Sequence, residues 1–129
     1  MSNMFIFLSM IFFHILDDFK LQAGVLVNLK QRSYWEKNAP DPMYSKDYII
    51  SLFIHGLSWA FMTMLPVAIK QQFTVGWEFF VIMVIQAVIH AVIDDLKANR
   101  HKINLIVDQT IHFIQICLAF LILMNIYSR

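Results

Sequence analysis

Four apolar blocks, each close to the length needed to cross a bilayer, leave this chain few ways to fold. They run from about Met4 to Leu26, Tyr48 to Ile69, Trp77 to Leu96 and Ile103 to Tyr127. At 1.5 Å rise per residue, a helix of about 20 residues spans a hydrocarbon core of roughly 30 Å. The composition agrees, with 59% hydrophobic residues and only 15% charged. Soluble domains carry nearer a quarter charged residues and interrupt their apolar runs every few positions. Short connections favour antiparallel neighbours. The expectation is therefore an all-α polytopic membrane protein, a four-transmembrane-helix antiparallel bundle, with residues 1–129 as one membrane domain. Met1 to Phe13 has no basic start and no small-residue cleavage signal before the acidic residues that follow, so it reads as a retained first span.

The basic residues orient the bundle. Lys20, Lys30, Arg32, Lys37 and Lys46 flank or occupy the first loop, residues 28–47, whose Asn-Ala-Pro-Asp-Pro core breaks helices. Lys97, Arg100 and Lys102 occupy the third loop, so eight of the ten Lys and Arg lie on one side, against Lys70 and Arg129 on the other. The positive-inside rule then places both loops in the cytoplasm and both termini outside it, in a multi-pass protein of the cell's inner (cytoplasmic) membrane. The lone Cys117 excludes an intrachain disulfide and argues against a thiolate metal site. A net charge of +1 gives no case for nucleic-acid binding. The lipid bilayer is the implied partner, and self-association into a homo-oligomer stays open.

Against this apolar background each block carries one histidine: His14, His55, His90 and His112. Three of them have an aspartate four positions away, at Asp18, Asp94 and Asp108. A separation of four returns a helix to nearly the same face, so each pair can aim at one point. Gln22 extends the first seam, Gln86 and Lys97 the third, Asn104 and Gln115 the fourth, and Ser51 and Ser58 flank His55 on the second. Depth agrees as well. Counted from the nearest loop lysine at 1.5 Å per residue, His14 lies about 9 Å in, His90 about 10 Å, His55 about 13 Å and His112 about 15 Å. The aspartates are shallower on all three helices, and only on the fourth does Asp precede His, as alternating chain direction requires.

A lone intramembrane histidine is often just a helix-to-helix hydrogen bond, and a charged span end often only snorkels. Four histidines and three matched aspartates at one depth point instead to a shared polar site. Ionisable groups in a bilayer are costly and normally face a bundle interior. Imidazole and carboxylate without thiolate suit a divalent metal ion of the Zn, Mn or Fe type. The expected ligands are His14, Asp18, His90, Asp94, Asp108 and His112. His55 completes the shell or acts as acid/base. Asp17 and Asp95, a helical step off the seam, are candidates for a general base or a supporting partner.

HILDDFKLQ, the later His55, HAVIDDLK and DQTIH resemble the pattern of small bacterial and phage membrane proteins of domain-of-unknown-function family 3307. That pattern reads His-x-x-x-Asp-Phe-x-x-Gln, a mid-chain His, His-x-x-x-Asp and Asp-Gln-x-x-His. It falls here on His14, Asp18, Phe19, Gln22, His55, His90, Asp94, Asp108, Gln109 and His112, across nearly the whole chain. The resemblance supplies no reaction. More loosely, the His and Asp usage is similar to that of membrane-bound metal-dependent hydrolases.

These readings converge on an intramembrane metal-dependent hydrolase open to the cytoplasm. Lys20, Gln22, Lys97, Arg100 and Gln109 at the mouth would hold a lipid headgroup or another phosphorylated small molecule. The rival is a small channel or transporter for protons or metal ions, or a membrane accessory protein whose seam is structural glue.

Overall fold

The computed structural model describes residues 2–128, so Arg129, assigned above to the outer side, lies outside them, as does Met1. Every regular element among the described residues is helical. Helix α1 is Asn3–Leu16, α2 Val25–Leu29, α3 Arg32–Asn38, α4 Asp47–Lys70, α5 Trp77–Ala98 and α6 Leu105–Tyr127. A 3₁₀ turn, Pro42–Tyr44, precedes α4. The stretches Pro42–Lys70, Trp77–Ala98 and Leu105–Tyr127 are long and apolar enough to cross a membrane.

The first block departs from expectation. Helix α1 stops at Leu16 and continues as a π-helical turn, Asp17–Leu21, instead of running to Leu26. The helix cannot go on because Gln22 leaves helical geometry and Gly24 adopts φ 80°, ψ −127°, a conformation that glycine alone reaches without strain. The first loop also has more order than a turn-rich connection suggests. It holds α2 and α3, and the Trp35 indole donates to the Leu29 carbonyl at 2.7 Å.

Helix α4 is central and packs on α1, α5 and α6, while α1 and α5 each also pack on α6. It approaches α5 closely. A Cβ built on Gly56 would stand 2.3 Å from the Ala87 carbonyl oxygen, so the two backbones touch where a side chain would hold them apart. Small residues serve membrane helices in this way, since packing replaces a hydrophobic drive between them.

The interior divides lengthwise. One end is apolar, built from Ile6, Met64, Val67, Phe79, Ala119 and Leu123. The other end buries His14, Asp17, His55, His90, Asp94, Asp108 and His112. Outward faces are greasy: Phe5, Phe12, Phe80, Val92, Ile106 and Leu121 are each more than half exposed. This arrangement, apolar outside and ionisable inside, inverts that of a soluble protein.

Candidate metal centre

The close contact at Gly56 brings α4 and α5 near enough for Nε2 of His55 to lie 3.1 Å from Nε2 of His90. Asp94, one turn from His90 on the same face, places Oδ2 2.9 Å from that His55 nitrogen. Asp18 approaches from the π turn, its Oδ1 3.5 Å from His55 Nε2 and 3.9 Å from His90 Nε2. Helix α6 completes the cluster. His112 Nε2 is 3.2 Å from Asp108 Oδ1 and 3.9 Å from Asp94 Oδ1, and its ring stacks on His90 with centroids 4.0 Å apart. His55, His90, Asp94, Asp108 and His112 are wholly buried.

Three overlapping ligand groups result: Asp18–His55–His90, His90–Asp94–His112 and Asp18–Asp108–His112. In each, one donor atom per residue lies within 4.8 Å of the others. Such N and O donors bind a divalent ion at about 2.0–2.2 Å, so small side-chain shifts close any of these groups around one. The local bonding asks for a cation. His112 Nδ1 faces Gln115 Oε1 at 3.0 Å, which makes Nδ1 the donor and leaves the Nε2 lone pair aimed at two carboxylates. Two sets of lone pairs repel unless a proton or a metal ion stands between them. Nε2 of His112, Oδ1 of Asp94 and Oδ1 of Asp108 are all buried without a hydrogen-bond partner, as are Nδ1 of His55 and of His90. Buried polar atoms are rarely left so. The donor set therefore fits a divalent ion.

His14 stands apart from these ligand groups. Both of its ring nitrogens are engaged, Nδ1 by the Trp59 indole at 2.7 Å and Nε2 by Gln109 Oε1 at 3.0 Å. Gln109 in turn donates to Asp18 Oδ2 and Asp108 Oδ2, each at 3.0 Å, tying α1 to α6 across the cluster. Trp59 also lies flat against His90, centroids 4.4 Å apart. In the sequence its one signal is its place four residues from His55, on the same face of α4.

The two aspartate doublets are not equivalent. Asp17 is fully buried and accepts from Ser58 Oγ at 2.9 Å and Gln22 Nε2 at 3.0 Å. It is in none of the three ligand groups. Asp95 faces away from the cluster, bonded to Asn99 at 2.9 Å and Arg100 at 2.8 Å. The π turn explains the difference. It widens the helical turn, so successive residues rotate less and both Asp17 and Asp18 point inward. Helix α5 stays α-helical and turns Asp95 outward.

The mouth residues separate likewise. Lys97 reaches inside, with Nζ 2.6 Å from Asp108 Oδ2 and 3.7 Å from Asp94 Oδ1. Gln22 is buried on Asp17, whereas Lys20 is exposed and Arg100 is largely exposed beside Asp95. The residue that reaches the cluster unannounced is Lys30 of the first loop. Its Nζ lies 2.6 Å from Asp94 Oδ2 and 3.4 Å from His55 Nε2. No helical spacing relates a loop lysine to an intramembrane aspartate, so only its charge was visible beforehand.

Fold and site together define an all-helical protein with three helices fit to cross a membrane and a buried His/Asp cluster able to hold a metal ion. The family model described as "Protein of unknown function (DUF3307)" matches residues 6–128, and the chain belongs to that family. No curated protein and no solved structure matches it.

Proposed function

We propose that this chain is an integral membrane protein of four spans whose His/Asp cluster binds a divalent metal ion and hydrolyses a phosphoester, such as a lipid headgroup, from the cytoplasmic side. The observation that carries the reading is the convergence of three imidazoles and three carboxylates, from four helices, into overlapping ligand groups in the interior. Helix α1 with its π turn supplies the fourth span, its outer face formed by Met4, Phe5, Leu8 and Phe12.

Bound among these residues, a divalent ion supplies Lewis acidity toward a phosphoryl oxygen and its nucleophile. The chain's own groups do the rest. With the ion held by either group that leaves His55 free, His90–Asp94–His112 or Asp18–Asp108–His112, His55 Nε2, beside Asp94 and near the Lys30 ammonium, is placed to take or return a proton. Lys97 holds Asp108, and Gln109 holds Asp18 and Asp108 as acceptors facing inward. A conducting path is the weaker reading. The Gln86 and Gln115 amides bond to each other at 2.8 Å above His112, and beyond them the interior is apolar but for Thr63, whose hydroxyl donates to the carbonyls of its own helix.

Metal content decides the matter. Purified protein should carry stoichiometric metal that chelator removes together with phosphoesterase activity, and His90→Ala should lose both. Metal-free protein, with cellular activity untouched by His90→Ala, sinks the proposal. Proteoliposome ion flux that depends on His112 would favour the conducting path instead.

A further inference from the structure

Resting on that reading, we propose that the centre holds one divalent ion and that Lys30 is its second cation, the residue that binds a phosphoryl oxygen of the substrate.

Charge supplies the first part of the case. Asp18, Asp94 and Asp108 of the ligand groups supply three carboxylates, and Lys30 and Lys97 answer them with two ammoniums. With neutral imidazoles one negative charge remains, two with the buried Asp17 counted, and one divalent ion offsets either. Uncancelled charge in a low-dielectric interior is expensive, so neutrality is a strong constraint there. A second divalent ion would require both lysines to leave. Lys97 is rooted one turn from Asp94 on the same helix and is held by Asp108 as well, so it is poorly placed to do so.

Lys30 is built into position differently. Its segment ends α2 and is fastened to the end of α5 by one side chain. Asn99 Nδ2 donates to the Lys30 carbonyl at 3.1 Å, and Asn99 Oδ1 accepts from the Arg32 N–H at 2.7 Å. That two-pronged bond brings an ammonium from the loop down onto Asp94 and His55, with 12% of its side chain still exposed. An ammonium has three N–H donors. Asp94 takes one and, among the described residues, His55 is the only other neighbour bonded to it, so one donor remains for an incoming anion. A divalent ion held by these ligand groups, together with the Lys30 ammonium on Asp94, would give the pair of positive groups that a phosphoryl group needs.

The test uses the full chain in detergent, Mn²⁺ as the metal and inorganic phosphate as the anion, both followed by calorimetry. Wild type should take one Mn²⁺ per chain and then bind phosphate. Lys30→Gln should still take one Mn²⁺ but bind phosphate at least about tenfold more weakly, the worth of one charge-assisted hydrogen bond. Lys30→Arg should recover most of the loss. Asn99→Ala, which frees the segment without touching the cluster, should weaken phosphate binding at unchanged Mn²⁺ stoichiometry. Two Mn²⁺ per wild-type chain, or unaltered phosphate affinity in Lys30→Gln, overturns the inference and leaves the metal reading standing. A wild-type chain that takes no Mn²⁺ overturns both.

Discussion

The indole N–H of Trp59 donates to Nδ1 of His14 at 2.7 Å, and this bond decides what His14 can do. Tryptophan can only donate, so Nδ1 is the acceptor and Nε2 carries the proton. That proton goes to Gln109 Oε1, which orients the Gln109 amide so that its N–H groups hold Asp18 and Asp108. His14 thus acts at one remove, positioning two carboxylates through a glutamine.

The consequence is measurable in metal content. His14→Gln should keep stoichiometric metal with lowered affinity, whereas His90→Ala should lose the metal. Trp59→Phe leaves Nδ1 buried without a donor and should cost about 1–3 kcal/mol in thermal or denaturant unfolding. Loss of all metal in His14→Gln would return His14 to the ligand set.

Gly56 offers a second test, on packing alone. An added methyl group would meet the Ala87 carbonyl carbon at 3.2 Å and the Ala91 nitrogen at 3.3 Å, besides the oxygen noted above, and these are backbone atoms that cannot swing aside. Gly56→Ala should therefore separate α4 from α5, lower stability by roughly 1–3 kcal/mol and weaken metal binding by parting His55 from His90. Gly24 has nothing within 4 Å of its built Cβ, so Gly24→Ala meets backbone strain only and should leave metal affinity near wild type. Equal metal affinity in the two variants would break the link from helix approach to cluster.

What the sequence made legible, and what it hid, follows from which forces act along the chain. Helices α4, α5 and α6 begin and end within about two residues of their hydropathy limits, because apolar length sets a spanning helix. The first block misled because Gly24 ends it by backbone conformation, which hydropathy does not register. The pairs Asp94 with His90 and Asp108 with His112 were visible as i, i+4 spacing on regular helix. Asp17 was visible only as a candidate off the seam, and its inward aim was hidden because spacing arguments assume the α-helical rotation that the π turn abandons. Lys30 reaches the cluster through a tertiary contact with no periodic signature, whereas Ser58 and Trp59 stand three and four residues from His55 on the same face of α4.

The aspartate doublets convert that contrast into numbers. Asp95→Ala removes a pair whose arginine is 66% exposed, and such pairs contribute at most about 1 kcal/mol, so stability and metal content should barely move. Asp17→Ala strands the donors of Ser58 and Gln22 in the interior and should cost about 2 kcal/mol or more, with metal stoichiometry retained. The comparison needs only unfolding curves and elemental analysis on the two variants. Similar stability losses at both positions would mean that the π turn does not aim Asp17 inward.

Topology gives the last prediction. Lys70 Nζ donates to Asn3 Oδ1 at 3.2 Å, and the Gly76 N–H donates to the Tyr127 hydroxyl at 3.3 Å. These two bonds tie the start of α1 and the end of α6 to the connection between α4 and α5, so Asn3 and Tyr127 share one face of the protein. The cluster lies toward the other end, where Lys30 reaches it from the first loop and where nearly all of the loop lysines and arginines gather. Basic loops are retained in the cytoplasm. In a Cys117→Ser background, Ser45→Cys should therefore react with a membrane-impermeant thiol reagent only after the cytoplasmic face is opened. Gln72→Cys, exposed on the connection between α4 and α5, should react in intact cells. Labelling of Ser45→Cys from outside would invert the protein, and the substrate would then have to be sought on the opposite surface.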